Sequence, residues 1–279
     1  MLRGFYTAAS GMISQQRKTE MLVNNMANVN TPGFKGEQSS MRAFPELLLQ
    51  RFDKQSVPTQ KPLNMPFSPQ IGGLNTGVYM QEAIPQFAQG DIRETELNTD
   101  FALIDGTMPI NPETGRSGTI FFSVEHPNGG QRYTRNGNFT LDAAGYLTTM
   151  NGLYVLNPEG NRILLANEDF NMNRAGEIMV NDTVVGRIGV AYADNPELLI
   201  KEGEGLYRTV NGENLPNAFN AAGVEFEVRQ RFLERSNVDA SQTMTAMLTA
   251  YRAFEANQKV LQAYDRSMDK AVNEIGRVN

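Results

Sequence analysis

Cysteine and tryptophan are absent from the 279 residues, and histidine occurs once. Without cysteine there are no disulfides, thiolate nucleophiles or Cys-bearing metal sites. The single histidine, His126, cannot build a multi-His zinc centre, and its setting, "EHPNGG", reads as a hairpin turn. Cations are outnumbered, 25 against 31 anions, for a net charge of -6, which argues against a general nucleic-acid binder needing a basic surface. No run of about 18 apolar residues occurs, so no stable membrane insertion is expected. The first residues, "MLRGFYTAASGMISQQRK", are periodic and lack the apolar core of a cleaved secretory signal.

What is present is a chain long enough for two ordinary domains, with the 40% hydrophobic and 20% charged content of a folded protein. Its ends are helical. Leu2, Phe5, Ala9, Met12, Gln16, Thr19, Val23 and Met26 recur at alternating steps of three and four, the spacing of a coiled-coil seam. Asn28 and Asn30 weaken that helix, and Thr31-Pro32-Gly33 ends it, since Pro-Gly suits the centre of a type II turn. The same spacing returns at Met244, Met247, Tyr251, Phe254, Gln258, Leu261, Asp265, Met268, Val272 and Ile275. Asp239 with Gln242 forms a capping-box pattern before it, and Gly276 stands at the C-cap position. At 1.5 Å per residue these helices would be roughly 40 and 54 Å long. Each carries apolar residues beyond one seam, so a simple two-helix hairpin would leave apolar surface in water, the mark of an association site.

Between the ends the pattern changes twice. Residues 36–77 are extended and weakly periodic, with "MRAFPELLLQRF" suggesting a short amphipathic helix from Pro45, followed by Pro58, Pro62, Pro66 and Pro69 at intervals too close for helix or central strand. From Gly77 onward "GVYMQEAI", "FALIDG", "TIFFSV", "QRYTRNGNFTLD", "GYLTT", "LYVLN" and "NRILLA" predict short strands separated by Gly- and Asn-rich turns, hence an antiparallel β domain. Asn195 to Ile200 predicts one helical turn or two. The fold class expected is therefore α+β: paired terminal helices around a central antiparallel β-rich region, divided as residues 1–35, 36–77, 78–230 and 231–279.

Catalytic signals are missing. There is no nucleophile elbow, zinc-binding helix or EF-hand loop, and "Gly203-Glu204-Gly205" is a turn rather than a phosphate loop. Asp100, Asp105 and Glu125 are single carboxylates without a paired-acid spacing. No enzyme activity, metal or cofactor is expected.

"LRGFYTAASGM", "NNMANVNTPGFK", "QGDIRETELNTDFALI", "FFSVEHPNGGQRYTRNGNFTLDAAGYLTTMNG" and "LERSNVDASQTMTAMLTAYRAFEANQKVLQAYDRSMDKAVNEIG" together resemble the bacterial flagellar hook and basal-body rod family, block by block and in order. The resemblance implies a non-enzymatic subunit of the axial structure, passed out unfolded or partly unfolded by the flagellar type III export apparatus and polymerised beyond the cytoplasmic membrane. It also implies terminal helices paired in an inner tube and a β-rich domain outside it. On this reading Leu2, Phe5, Met12, Val23, Met26, Met244, Met247, Tyr251, Phe254, Leu261, Met268, Val272 and Ile275 form the assembly interface, with Asn28, Asn30, Pro32 and Gly33 turning the chain outward. The modest middle favours a rod subunit over the longer hook protein. The segment from Glu37 to Thr76 and "RQRFLERSNVD" depart from the family's plainer pattern and leave proximal and distal rod as alternatives. Two other classes fit less well: an envelope hydrolase would need catalytic His, Cys or paired acids, and a membrane-surface helix would need more cations than Arg3, Arg17 and Lys18.

Overall fold

The computed structural model describes residues 2–50, 70–112, 114–165, 167, 169–181 and 183–275. The chain divides into two compact units, each assembled from segments distant in sequence: Met1–Asn24, Gln38–Ala83 and Ser241–Asn279 in the first, Asn25–Glu37 and Ile84–Ala240 in the second.

The first unit is built on helix α1 (Leu2–Ala27) and helix α2 (Ala240–Lys270), the latter continued by one π-helical turn over Ala271–Ile275. The expected C-cap glycine, Gly276, lies outside the described residues. Strands β1 (Glu37–Ala43), β2 (Leu47–Gln50), β3 (Gln70–Leu74) and β4 (Val78–Pro85) form two antiparallel or paired ladders, β1 with β4 and β2 with β3. The helix expected from Pro45 is thus a strand in its described part. A helix of that length is marginal in water by itself, whereas Leu47, Leu48 and Leu49 gain a ladder partner in Leu74, Gly73 and Gly72. Residues 51–69, with the four closely spaced prolines, lie outside the described part.

Hydroxyl groups hold α1 to the arm. The Ser14 hydroxyl donates to the Val78 carbonyl at 3.0 Å, Ser10 Oγ accepts from the Val78 N–H at 3.3 Å, and the Thr7 hydroxyl donates to the Thr76 carbonyl at 3.2 Å. Gly77 lets the strand come this close, because a Cβ there would overlap the Ser10 hydroxyl. Met21 and Leu22 then pack with Ala246, Met247 and Ala250 of α2 and with Met80 and Ala83 of β4. Further along, a Cβ on Gly4 would overlap the Tyr264 hydroxyl, and one on Gly11 would lie 3.0 Å from Asn257 Nδ2. The two helices therefore run antiparallel where they meet.

The second unit is antiparallel β. Strands β5 (Ile92–Glu94), β6 (Phe101–Asp105), β7 (Thr119–Glu125), β8 (Gln131–Thr134), β9 (Phe139–Leu141) and β10 (Leu147–Thr149) come first. They are followed by β11 (Asn171–Met172), β12 (Glu177–Val180), β13 (Thr183–Arg187), β14 (Val190–Ala193), β15 (Ile200–Lys201), β16 (Leu206–Arg208), β17 (Phe226–Gln230) and β18 (Phe232–Glu234). The largest sheet has the order β14-β7-β8-β16-β15, beside a three-stranded sheet β11-β12-β13 and two-stranded pairs β9-β10, β17-β6 and β18-β5. Strand β7 is buried along nearly its whole length because it has core on both faces. Its Ile120, Phe122 and Val124 enter the main core with Phe101, Phe139, Leu147 and Ile178, while Phe121 enters a second cluster with Tyr133, Ala191 and Tyr207. The "LYVLN" and "NRILLA" segments make only isolated bridges, among them Val124 with Val155 and Leu156 with Arg162. The Asn157 side chain accepts from the N–H groups of Glu159 and Asn161, and this tight turn breaks the pair before it can become a ladder. The turn expected at Asn195 to Ile200 is a 3-10 turn over Pro196–Leu198, and His126 sits in the β7–β8 hairpin, accepting from Gly129 N–H through its carbonyl.

Phe122 is fully buried, with its ring edge-on to Phe139 at 5.2 Å between centroids. Replacing Phe122 by Ala should destabilise the β unit by about 3–5 kcal/mol, read as a drop in urea midpoint, while Val184→Ala at an exposed position should change it by less than about 0.5 kcal/mol.

Candidate functional site

The site that organises the molecule is a joint in the second unit where three segments distant in sequence meet. The first is the turn after α1. Thr31 N–H donates to the Asn28 carbonyl, and Phe34 N–H donates to the Thr31 carbonyl at 3.3 Å, closing a turn around Pro32 and Gly33. Gly33 is buried with φ of +67°, donates its N–H to the Glu234 carbonyl at 2.8 Å, and would put any Cβ into the backbone of Arg135 and Asn136. Glycine is required there for both reasons.

Glu234, at the end of β18, is the second segment's contribution. Its carboxylate is buried and accepts at one oxygen from Lys35 Nζ at 2.7 Å and Gly90 N–H at 2.8 Å, and at the other from Arg135 Nε at 2.6 Å. Arg135, from the "RYTRNGNF" stretch after β8, is the third. It also donates to the carbonyls of Ile120 and Leu103 and to Asp105 Oδ2 at 2.9 Å, so four acceptors surround a guanidinium that is about 1% exposed. Lys35 completes its set with the Ala88 carbonyl at 2.8 Å. The cluster holds two cations and two anions, the only arrangement in which charges so deeply buried are tolerable.

Burial would push the Glu234 carboxyl up, but Arg135 and Lys35 beside it outweigh burial and hold it below the ordinary carboxylate value. Burial, then the Arg135 charge, holds the Lys35 ammonium below the ordinary lysine value against the attraction of Glu234. Two asparagines frame the cluster. Asn237 Oδ1 accepts from Gly36 N–H at 2.8 Å while its amide donates to the carbonyls of Gln86 and Ala88. Asn25 closes a reciprocal pair with the N–H and carbonyl of Glu37. Lys201 lies over the Phe34 ring at 4.5 Å and pairs with Glu37 at 2.6 Å.

The sequence-derived seam residues are distributed differently from the simple heptad. On α1, Phe5, Met12 and Met26 are half-buried and Val23 is exposed, while the buried stripe runs through Ala8, Ser14, Met21, Leu22 and Asn25. On α2, Met247, Phe254, Leu261 and Met268 are half-buried, while Met244, Tyr251 and Val272 are exposed, and their place in the covered stripe is taken by Thr243, Ala250, Asn257 and Tyr264. The stripe is rotated by one residue because Gly4 and Gly11 of α1 leave room for Tyr264 and Asn257, and the small Thr243 and Ala250 allow close approach at the other end. The side chains of Leu2 and Ile275 lie outside the description. Of the turn residues, Gly33 is buried, Asn28 and Pro32 half-buried and Asn30 exposed.

The single carboxylates do not gather. Glu125 pairs with Arg162 on the surface at 2.6 Å, Asp105 with Arg135 in the cluster, and Asp100 is buried in the β5–β6 connection. Among the described residues no group of three or more His, Asp or Glu side chains is placed to hold a metal ion.

The segments that meet at the joint are also those that family models recognise. The description "flagella basal body rod protein" matches residues 5–35, "flagellar hook protein FlgE/F/G D1 domain" matches residues 117–188, and "flagellar basal body rod FlgEFG protein C-terminal" matches residues 229–274. The chain is 44% identical over 278 residues to the flagellar hook-basal body complex protein FlhO of Bacillus subtilis (strain 168), covering 100% of both. The chain belongs to the flagellar hook and basal-body rod family. It is also 31% identical to the flagellar basal-body rod protein FlgG of Bacillus subtilis (strain 168), over 98% of this chain and 99% of that one. To FlgF of Caulobacter vibrioides it is 29% identical over the full length of both. Its role is structural, in the flagellar basal body, and it is not an enzyme. Lys35, Arg135 and Glu234 fall inside the three matched segments, one in each. Sequence reading missed their union because nothing in a linear pattern announces that three charges far apart along the chain will be buried together.

Glu234→Gln should leave Lys35 without an anionic partner and Arg135 with Asp105 alone, and should cost about 3–5 kcal/mol at neutral pH, measured by urea denaturation with tyrosine fluorescence. Because the folded-state value of Glu234 is depressed, its stabilisation is fully present above the ordinary glutamate value of 4.5 and is lost as the pH falls through the lower folded value. The wild-type protein should therefore weaken steadily below about pH 4.5, and the variant should show a shallower acid slope.

Proposed function

We propose that this protein is a subunit of the flagellar basal-body rod that polymerises through its terminal helices into the axial shaft carrying motor torque to the hook and filament. The observation that carries this reading is the apolar surface left over on both helices. Tyr6, Ile13 and Val23 on α1 are exposed, as are Met244, Leu248 and Tyr251 on α2. The last three follow i, i+4, i+7 spacing and so form one outward stripe. The arm adds Leu47, Leu48 and Ile71, exposed on the two-stranded ladder of β2 and β3, which is marginal without a further covering surface.

A second copy of the chain and the adjoining axial subunits are the partners proposed for this surface. A heterologous contact that does not close on itself propagates a helical filament, and a rod is such a filament. Phe5, Met12, Met26, Met247, Phe254, Leu261 and Met268, already half-covered within the subunit, would set the shape of the inner, coiled-coil-like tube. Val23, Met244, Tyr251 and Val272 would reach neighbours. The proposed route to the basal body is the flagellar type III export apparatus, for which chains with weakly self-sufficient ends are suited, because little structure must be undone before passage.

Tyr251→Asp should abolish rod assembly and swimming while leaving the urea midpoint of the purified subunit within about 0.5 kcal/mol, because the ring is exposed in the monomer and a charge there meets water until a neighbour arrives. A swimming Tyr251→Asp strain would remove the outward stripe of α2 from the assembly surface.

A further inference from the structure

The β17–β18 segment changes partner in one step. Up to Gln230 it pairs with β6, and from Phe232 it pairs with β5. The residue between, Arg231, has φ of +65°, a left-handed conformation that a side-chain-bearing residue keeps only when its surroundings impose it. Three hydrogen bonds impose it, all from the connection between β5 and β6. Arg231 N–H donates to the Asp100 carbonyl at 2.8 Å, the Arg231 carbonyl accepts from Thr95 N–H at 2.6 Å, and Arg231 Nε donates to Asn98 Oδ1 at 2.8 Å. The Gln230 side chain reinforces them by donating to the Asn98 carbonyl at 2.7 Å.

The same connection buries a carboxylate that the joint does not use. Asp100 is 1% exposed, and its Oδ1 is shielded from solvent without a hydrogen-bond partner. The Thr95 hydroxyl lies near enough to ease the charge but makes no hydrogen bond of good geometry. Charged groups on the neighbouring elements are engaged elsewhere or exposed. The Arg231 guanidinium goes to Asn98, Arg135 to Glu234 and Asp105, Glu234 to Arg135 and Lys35, and Arg93, Glu94 and Glu96 are exposed. From the β9 side the groups opposite are the uncharged Gly137 and Asn138.

We propose that residues 95–100 and Arg231 form an acid-tightened latch on the C-terminal segment of the β unit, which at neutral pH is the first part of that unit to open. An ionised Asp100 in its closed place is a buried charge with its Oδ1 unpartnered among the described residues, and opening the connection returns it to water at the expense of the three bonds that hold Arg231 left-handed. A neutral Asp100 removes that cost and keeps the segment seated. Burial raises the Asp100 carboxyl above its ordinary value of 3.8, with Thr95 opposing, so the stabilisation is present at low pH and is lost as the pH rises through the folded value. Glu234, three residues beyond Arg231, acts in the opposite sense and below its own ordinary value of 4.5. The latch does not depend on the assembly reading.

Amide hydrogen exchange on the full-length chain tests it, with protection corrected for intrinsic rates at about pH 5 and about pH 7.5. The amides to follow are Thr95 and Arg231, with Leu165, whose N–H donates to the Gly145 carbonyl at 2.7 Å, as reference. Protection at Thr95 and Arg231 relative to Leu165 should fall from the lower to the higher pH. Asp100→Asn should abolish that difference and raise protection at the higher pH. Arg231→Gly, which relieves the backbone without touching the carboxylate, should keep the pH dependence. Equal relative protection at both pH values in the wild type would overturn the latch, as would loss of the dependence in Arg231→Gly. Should Asp100→Asn not fold, the wild-type and Arg231→Gly measurements decide the matter alone.

Discussion

The carboxylate of Glu234 sets the terms for the β unit. It is buried, it carries a full charge, and it is paired on both oxygens by cations from two distant segments of the chain, Lys35 near the start and Arg135 in the middle. A buried ion pair of this kind is poor evidence of net stability, since desolvation consumes much of the attraction. Its value lies in specificity. With Glu234 in place Lys35 has one seat, the Thr31–Phe34 turn has one orientation, and Gly33 can approach the Arg135 backbone. Without it Lys35 would have no anion and would face an Arg135 balanced by Asp105 alone, and the turn would lose the anchor that holds it against the sheet.

The apolar core accepts this burden because it is large, and it meets the joint through the Ile120 and Leu103 carbonyls that accept from Arg135. Strand β7 is covered on both faces, with Ile120, Phe122 and Val124 on one side and Phe121 on the other, and a fully buried side chain of this size contributes about 1.5–3 kcal/mol. The helical unit is built otherwise. Its tightest contacts are hydroxyls on strand backbone, at Thr7, Ser10 and Ser14, and aromatic or amide tips over glycine, at Gly4 and Gly11. Such packing brings elements close yet buries little apolar area, so large side chains remain on the outside of both helices. A subunit with a self-sufficient β unit and helices with surface to spare is suited to a polymer, in which the remaining burial comes from neighbours.

Within the joint and the latch, the same segment is asked for two opposite things. Glu234 ties it down most firmly where carboxylates are ionised, and Asp100 loosens it there. Both effects follow from where the cations are: two at Glu234 and, among the described residues, none paired with Asp100.

Local chemistry determined a good deal of this protein by itself. Steps of three and four residues place helices at both ends, Pro32-Gly33 stops the first of them, alternating β-branched and aromatic residues place β4, β6, β7 and β8, and the ordered blocks identify the family. These are properties of residues within a turn or a strand of one another, where the spacing of side chains decides the conformation. Tertiary structure decided the rest. The "LLLQ" stretch became a strand because β3 offers a ladder, "LYVLN" stayed a set of bridges because the Asn157 turn interrupts it, and the covered stripe of α2 shifted onto Thr243, Ala250, Asn257 and Tyr264. The joint of Lys35, Arg135 and Glu234 belongs to the same class. Its members are polar residues that would by default stay in water, and only the simultaneous approach of three distant segments supplies the partners that let them be buried.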